Sequence, residues 1–303
     1  MNNHTTAGER LRNALDAERP LQVVGAINAY CAILAEQAGF RALYLSGAGV
    51  ANASYGLPDL GMTTLDNVVE DVQRITGATD LPLLVDVDTG FDDITETVER
   101  LIAAGAAGIH IEDQVSNKRC GHRPNKRLVS TVAMMSRIDE AVAARDNSDQ
   151  SFVIMARTDA IAVEGESESM QRMQRYIDAG AEMLFPEALT ELAQYQQITT
   201  ALEVPILANI TEFGKTPLFE LNDLKHAGVA IALYPLSAFR LMSAAAWHGY
   251  STIRHHGTQK SIVDQMQTRE ALYRHLDYYR YEAALDQASG RDDDRSRSDD
   301  NEQ

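Results

Sequence analysis

The chain has 303 residues, of which 45% are hydrophobic, and its formal net charge is −17 at pH 7. This length and apolar content can bury a large core, and barrels of this size form a single domain. The negative charge argues against nucleic acid as a partner, because binding to phosphates needs a basic surface, and any anionic substrate would need a local cluster of cations.

The beginning of the chain, Met1-Asn2-Asn3-His4, has neither the basic segment nor the apolar run of a signal peptide. No apolar stretch reaches the roughly 18 residues that a membrane span needs. The two cysteines, Cys31 and Cys120, lie at unrelated places, which argues against a disulfide framework. We therefore expect a cytoplasmic protein without a membrane partner, and a buried Cys31, since an apolar stretch surrounds it.

Short β-rich runs alternate with longer helical stretches along the chain. Most of the runs lack polar alternation, as expected of parallel strands that are covered on both faces. Several follow an Ala-Gly pair, which is typical of a helix that ends just before the next strand. Eight βα units in this length predict a (β/α)8 TIM barrel. The predicted strands are residues 21–27, 42–47, 82–88, 108–113, 152–159, 183–188, 205–210 and 229–235.

A doubly wound sheet is the alternative α/β architecture. It would carry a glycine-rich fingerprint after the first strand, and the nearest match, Gly47-Ala48-Gly49, lacks the third glycine. This alternative is therefore less favoured than the barrel.

Helices are predicted after the last strand, over residues 238–256 and 261–285. The second is rich in tyrosine and leucine. Because a barrel is already closed, this apolar helix needs another surface, which predicts a subunit interface. We expect residues 1–290 to form one barrel domain with a helical extension, and the charged residues 291–303 to form a disordered tail.

Polar side chains follow most of the predicted strands. The barrel predicts chemistry at the carboxyl ends of its strands, and six of the eight strands, the second to the seventh, end in polar groups that capping alone does not explain. These groups are Ser46, Asp86, Asp88, Glu112, Asp113, Arg157, Asp159, Glu187, Asn209, Thr211 and Glu212.

Asp86 and Asp88 are two residues apart on one strand, so both can face the same side. With Glu112 on the next strand they form an oxygen cluster that favours Mg²⁺, or Mn²⁺, over Zn²⁺. The alternative is a set of caps or ion-pair partners, but three carboxylates without a cation would repel one another. His110 lies within a predicted strand, and we expect it to be structural.

Cys120 lies among Lys118, Arg119 and His122, in a loop after the fourth predicted strand. Basic neighbours lower the pKa of a thiol, which suits it to proton transfer or nucleophilic attack. The alternative is a solvated basic loop with an incidental cysteine. No lysine falls within a predicted strand, which disfavours a Schiff-base aldolase and leaves a metal-assisted carbon–carbon lyase open.

Three motifs together carry a family resemblance: residues 118–122 (Lys-Arg-Cys-Gly-His), residues 86–88 (Asp-Val-Asp) and residues 209–213 (Asn-Ile-Thr-Glu-Phe). With them the chain resembles the isocitrate lyase/phosphoenolpyruvate mutase superfamily over residues 21–281, and most closely its bacterial 2-methylisocitrate lyase branch. The resemblance implies a Mg²⁺-dependent, retro-aldol (Claisen-type) cleavage of a tricarboxylate, 2-methylisocitrate, to pyruvate and succinate in propionate catabolism by the methylcitrate route. It also implies a homotetramer whose C-terminal helices pack across subunits.

The resemblance further implies roles for individual residues. Asp86 and Asp88 would bind the metal, supported by Asp59 and Glu112. Cys120, with His122 beside it, would protonate the succinate carbanion. The substrate contacts would be Ser46, Gly47, Ala48, Gly121, Arg157, Glu187, Asn209, Ile210, Thr211, Arg240 and Arg269.

Tyr44 is our candidate for the general base, with ordinary barrel packing as the alternative. Two departures from the family pattern are Ala48, where relatives have glycine, and a shorter segment over residues 90–95. Three alternatives stay open: isocitrate lyase or another α-keto-acid lyase or decarboxylase of the superfamily, a catalytically impaired anion-binding barrel, and a structural assembly protein.

Overall fold

A computed structural model of the protein describes residues 5–116 and 125–288. The chain divides into two compact units, Met1–Ser243 and Ala244–Gln303. The predicted tail over residues 291–303 lies outside the described residues, and the single domain expected for residues 1–290 stays a prediction.

Eight parallel strands of the described residues form a nearly closed barrel, as predicted. Neighbouring strands pair in the order β6-β5-β4-β3-β2-β1-β8-β7, and a bridge between Leu184 and Ile206 joins the two ends of this sheet. A doubly wound sheet is thereby excluded. Each strand lies within its predicted bounds: β1 (Leu21–Gly25), β2 (Ala42–Leu45), β3 (Leu83–Asp86), β4 (Gly108–Glu112), β5 (Val153–Thr158), β6 (Met183–Pro186), β7 (Leu207–Asn209) and β8 (Ile231–Tyr234).

In the first unit, α1 precedes β1 and further helices follow the strands around the outside of the barrel; more helices come after β8 in the chain. A π-helical turn, Val50–Ser54, extends α3, and a 3-10 turn, Lys260–Gln265, precedes α12. None of the helices in the described parts of the chain has both the length and the apolarity to span a bilayer. The helices are α1 (Ala7–Ala17), α2 (Ala29–Gln37), α3 (Gly47–Gly49), α4 (Leu65–Thr76), α5 (Ile94–Ala103), α6 (Thr131–Ser148), α7 (Ile161–Glu164), α8 (Glu166–Asp178), α9 (Leu192–Ala201), α10 (Leu221–His226), α11 (Ser237–His256), α12 (Arg269–His275) and α13 (Tyr278–Ala288).

The prediction of a single helix over residues 261–285 is wrong. The segment contains the 3-10 turn and two separate helices. Thr268 is the N-cap of α12 and accepts a hydrogen bond from the Ala271 N–H, whereas Asp277 has a left-handed φ of 51° that a continuous helix does not allow. Tyrosine and leucine residues occur on both sides of the breaks, so the hydrophobic pattern did not indicate where the helices end.

The core has two layers because the strands bury both faces. Side chains such as Leu84, Met155 and Phe185 fill the barrel interior, where Leu11 and Leu15 of α1 join them. Alternate strand residues, such as Val85 and Ile154, pack against the surrounding helices. This double burial explains why the strands lack polar alternation.

Gly25, at the end of β1, allows the chain after β8 to approach closely. A Cβ atom there would lie 1.7 Å from the Pro235 carbonyl oxygen. We expect Gly25→Ala to reduce the free energy of unfolding by about 1–3 kcal/mol, the usual cost of overpacking. Thermal unfolding followed by circular dichroism measures the change.

Gly249→Ala is the matched control. A Cβ atom at Gly249, within α11, would meet no atom within 4 Å. Alanine there should leave stability unchanged or raise it by about 0.5–1 kcal/mol, because glycine is a poor helix former. Equal melting temperatures for Gly25→Ala and wild type would contradict the close packing.

Candidate active site

Arg157, a buried residue of β5, lies at the centre of the charged groups that end the strands. Its Nε is 3.4 Å from Glu112 Oε2 and 3.2 Å from Asp159 Oδ2, and its Nη2 is 3.2 Å from Glu187 Oε2. Its guanidinium carbon lies 5.1 Å from the centroid of the Phe185 ring. Burial by itself lowers the pKa of Arg157, but the carboxylates of Asp159, Glu112 and Glu187 raise it well above its ordinary value. Arg157 is therefore a permanent cation in the barrel mouth.

Asp159 follows β5 and is fully buried. Lys126 Nζ donates a hydrogen bond to its Oδ1 at 2.6 Å, and Gln114 Nε2 donates to its Oδ2 at 3.3 Å. Burial alone would raise the pKa of Asp159, but the charges of Arg157 and Lys126 hold it below its usual value. Asp159 was predicted only as a polar strand end, and neither it nor Lys126 or Gln114 was among the predicted site residues.

Asp86 and Asp88 direct their carboxylates towards the same point, the backbone at Gly47. The Gly47 N–H donates to Asp86 Oδ2 at 3.0 Å, and the Asp88 N–H donates to Asp86 Oδ1 at 3.0 Å. A Cβ atom on Gly47 would lie 3.1 Å from Asp88 Oδ1 and 3.2 Å from Asp86 Oδ2. Glycine therefore leaves room beside both carboxylates, and Asp88 reaches this point through a left-handed φ of 52°.

This pair fits a magnesium ion. Mg²⁺ is usually held by one or two carboxylates together with water and substrate oxygens, and Asp86 and Asp88 are two hard oxygen donors whose carboxylates both lie close to the Gly47 backbone. Among the described residues, no group of three His, Cys, Asp or Glu side chains could hold a metal, so the two aspartates would bind the ion together with water or substrate oxygens. Glu112 is paired with Arg157 and Asp59 lies in the loop before α4, so their support of a metal stays a prediction.

Tyr44 and His110 form a buried pair beside Asp86. The Tyr44 hydroxyl is 2.8 Å from His110 Nε2 and 3.5 Å from Asp86 Oδ2, and the two rings stack with centroids 5.7 Å apart. Burial, and then the charge of Asp86, raise the pKa of Tyr44 well above its usual value, so the resting side chain is a neutral phenol. We expected His110 to be structural, and the structure places its ring beside Tyr44 and Asp86. The register that places His110 opposite Asp86 on the neighbouring strand could not be predicted from the sequence.

Glu187, directly after β6, and Asn209, at the end of β7, form a pair beside Arg157. Asn209 Nδ2 lies 3.3 and 3.4 Å from the two carboxylate oxygens of Glu187, and the Ala188 N–H donates to Glu187 Oε1 at 2.8 Å. Both side chains and Thr211 are buried at the barrel mouth. Ile210 packs its side chain into the outer core layer, so any contact it makes with a substrate would be through its backbone.

The other residues predicted for the site lie in several parts of the structure. Ser46 is buried between β2 and α3, and Ala48 is half-buried within α3. Arg240 Nε lies 3.3 Å from Glu212 Oε2, and its guanidinium covers the Phe213 ring. Arg269 begins α12 in the second unit, and its part in a substrate pocket stays a prediction. Cys120, Gly121 and His122 lie outside the described residues.

A family model described as phosphoenolpyruvate phosphomutase matches residues 11–254. The chain is 59% identical to the 2-methylisocitrate lyase of Escherichia coli K12, over 92% of this chain and 95% of that one. It is 55% identical to the 2-methylisocitrate lyase of Vibrio cholerae, over 92% and 93% of the two chains. The chain belongs to the 2-methylisocitrate lyase family.

Solved structures place this family within the wider superfamily. The crystal structure of 2,3-dimethylmalate lyase, a PEP mutase/isocitrate lyase superfamily member, matches with a TM-score of 0.87 at 33% identity, over 96% of this chain and 98% of that one. A phosphonopyruvate hydrolase solved with oxalate and Mg²⁺ matches with a TM-score of 0.80 at 28% identity, over 92% and 97% of the two chains. The fold and superfamily predicted from the sequence are confirmed.

The buried charge on Lys126 should make stability dependent on pH through Asp159. Since the folded-state pKa of Asp159 is lowered, its ionisation stabilises the fold above its unfolded pKa of about 3.9, and this stabilisation is lost as pH falls through the folded pKa. In Lys126→Met the folded pKa of Asp159 should rise, so the loss should begin at a higher pH. At neutral pH we expect a cost of up to about 3 kcal/mol, because Arg157 and Gln114 still contact the carboxylate.

Melting temperatures between about pH 2 and pH 6 measure this shift, because the stabilisation by a carboxylate of lowered pKa is lost progressively below about pH 5. Lys225→Met is the matched control, because Lys225 is exposed on α10 and its loss removes the same formal charge. Parallel pH curves for the two variants would contradict the coupling between Lys126 and Asp159.

Proposed function

We propose that this protein is a 2-methylisocitrate lyase that cleaves its substrate to pyruvate and succinate. The observation that carries the proposal is the identity of 54–59% to four 2-methylisocitrate lyases, over at least 92% of the chain. The strand-end groups support it, because Arg157 provides a fixed cation and Asp86 with Asp88 provides a hard-metal site. A role in propionate catabolism by the methylcitrate route and a cytoplasmic location are part of the proposal.

Substrate binding would depend on a few local donors. The tricarboxylate is repelled by a chain whose net charge is −17, so Arg157, Arg240 and backbone N–H groups such as that of Gly47 would hold its carboxylates. Asp86 and Asp88 would hold Mg²⁺, which as a Lewis acid stabilises negative charge on substrate oxygens.

The proposed reaction breaks the bond between C2 and C3 of 2-methylisocitrate. The proton of the 2-hydroxyl leaves, the C2–O bond becomes the carbonyl of pyruvate, and the electron pair of the broken bond remains on C3. This succinate carbanion is delocalised into its carboxylate and takes a proton from Cys120. Substrate atoms and electrons are thereby divided between the two products.

Tyr44 remains our candidate to receive the hydroxyl proton. As a neutral phenol it can accept that proton only while it gives up its own. In the tautomer that carries its hydrogen on Nδ1, His110 Nε2, 2.8 Å from the Tyr44 oxygen, can take the phenolic proton, so we assign this tautomer and a concerted relay to the pair. This arrangement needs no free phenolate, the form that burial and Asp86 disfavour.

The alternative of a catalytically impaired barrel rests on the short segment after β3. In the structure, Asp93 caps α5 by accepting a hydrogen bond from the Glu96 N–H at 2.9 Å, and Gly90 adopts a φ of 100° in the preceding turn. The contacts among Asp86, Asp88 and Gly47 are made beside this turn. They favour a working metal site over an impaired one.

An assay of the oxo-acid product tests the proposal. Purified protein should form pyruvate from 2-methylisocitrate faster than it forms glyoxylate from isocitrate or pyruvate from 2,3-dimethylmalate, and EDTA should stop the reaction. Faster turnover of 2,3-dimethylmalate would favour the activity of the structurally similar lyase. No turnover of any of the three, with pyruvate binding retained, would favour an anion-binding barrel.

We also propose a homotetramer that is assembled through the C-terminal helices. Trp247 and Tyr250 on α11 are 75% and 73% exposed in the single chain, and large aromatic side chains at this exposure are typical of interfaces. Sedimentation velocity at micromolar concentration should give a tetramer. A stable monomer would contradict this assembly.

Asp88→Asn should remove a metal ligand and leave the fold intact, since asparagine also tolerates a left-handed φ. Turnover should fall by at least about a hundred-fold, because even residues that only orient a metal ligand contribute about ten- to a hundred-fold. Calorimetric titration with Mn²⁺ should show weaker binding. Asp80→Asn, at an exposed carboxylate before β3, is the control; similar metal affinity in both variants would contradict the assignment.

Cys120→Ser should cut turnover by about two to four orders of magnitude, because a hydroxyl is a far weaker acid than a thiol. Substrate affinity should change little, and iodoacetamide should inactivate the wild type but not this variant. Cys31→Ser is the control: Cys31 is buried against Met242, and burial raises the pKa of its thiol, so this variant should stay active and sensitive to iodoacetamide. Near-native turnover of Cys120→Ser would mean that another group donates the proton.

A further inference from the structure

Asp159 is a buried carboxylate to which the proposed reaction assigns no step. Its Oδ1 accepts a hydrogen bond from Lys126 Nζ at 2.6 Å, and its Oδ2 lies 3.2 Å from Arg157 Nε and 3.3 Å from Gln114 Nε2. Its own N–H donates to Asp113 Oδ1 at 3.0 Å. Three side-chain donors from three parts of the chain therefore meet on one carboxylate.

The connection between β4 and α6 has two described arms, residues 113–116 and 125–130. Gln114 lies on the first arm and Lys126 on the second. The arms pair with each other: Gln114 and Leu128 form an antiparallel bridge, and the Val115 N–H donates to the Arg127 carbonyl at 3.0 Å. Asp159, at the end of β5, accepts one side-chain hydrogen bond from each arm. It therefore fastens both arms to the strand that carries Arg157.

Arg157 is held from two sides. Asp159 and Glu112 contact its Nε at 3.2 and 3.4 Å, and Glu187 contacts its Nη2 at 3.2 Å. Because the guanidinium is planar and its donors form a rigid fork, contacts at two edges fix the plane in which it can meet a carboxylate. Loss of the Asp159 charge would remove the shorter of the two contacts at the Nε edge and the 2.6 Å partner of Lys126.

We infer that Asp159 is a positioning residue: it orients the Arg157 guanidinium and fixes both arms of the β4–α6 connection against it. It acts through Arg157 and not on the substrate. The inference rests on the proposed function in one respect, that Arg157 binds a substrate carboxylate.

The test uses Asp159→Asn, which keeps the shape of the side chain and removes its charge. We expect kcat/KM for 2-methylisocitrate to fall by about a hundred-fold, the effect of a small misplacement in an oriented site. The affinity for succinate, measured by calorimetry, should fall by about ten-fold, since a charge-assisted contact is weakened.

Asp71→Asn is the matched control. Asp71 is also a buried carboxylate, which accepts hydrogen bonds from Ser54 Oγ at 2.7 Å and from Arg74 Nη1 at 3.1 Å, but it lies on the outer helix α4. This variant should lose thermal stability and keep the kcat/KM and succinate affinity of the wild type. Equal losses of succinate affinity in both variants would mean that any buried carboxylate has this effect, and would overturn the inference.

A double-mutant comparison separates positioning from general stability. In an Arg157→Lys background, Asp159→Asn should weaken succinate binding by less than about two-fold further, because residues that act through one another are not additive. An undiminished ten-fold effect there, or a wild-type succinate affinity of Asp159→Asn alone, would overturn the inference.

If Asp159→Asn does not fold, the double variant Asp159→Asn/Lys126→Met removes both charges together, and wild-type succinate affinity in it would likewise overturn the inference. A wild-type protein that binds succinate but forms no pyruvate would contradict the proposed function and leave the positioning role standing.

Discussion

Arg157 carries a positive charge into the barrel mouth, where an uncompensated ion would cost several kcal/mol. Glu112, Asp159 and Glu187 surround it at the carboxyl ends of the adjacent strands β4, β5 and β6, at 3.2 to 3.4 Å. Three carboxylates around one cation leave an excess of negative charge, which the nearby Lys126 partly balances. The polar groups at these strand ends are thus mutually dependent, and removal of one charge alters the electrostatic potential at the others.

An acidic protein that binds an anionic substrate needs its cations close to that substrate, and here these are Arg157 and the proposed Mg²⁺. The net charge of −17 belongs to the whole chain, whereas the electric field at the barrel mouth depends on the nearest charges in a medium of low dielectric constant. Arg157 stays charged because its carboxylate neighbours raise its pKa. A fixed and permanently charged guanidinium requires no reorganisation when a carboxylate arrives, which is the preorganisation that catalysis requires.

The second centre, around Asp86, is built on backbone geometry. Gly47 approaches closely because it lacks a side chain, and Asp88 turns into the site through a left-handed backbone conformation. On its other side Asp86 meets Tyr44 and His110. One carboxylate therefore contacts both the proposed metal site and the proposed proton relay, which links the charge of the metal to the acidity of the phenol.

The sequence by itself determined the eight strands, their parallel arrangement and the family, because buried strands have a distinct apolar pattern and the motifs around Asp86, Cys120 and Asn209 are specific. It did not determine which polar strand ends contact one another. Asp159 was predicted only as one of several polar strand ends, and His110 as a structural residue, because the contacts of both join parts of the chain that are distant in sequence. Tertiary structure decided these partners, since strand register and backbone dihedral angles set the distances between side chains, and neither can be deduced from composition or spacing.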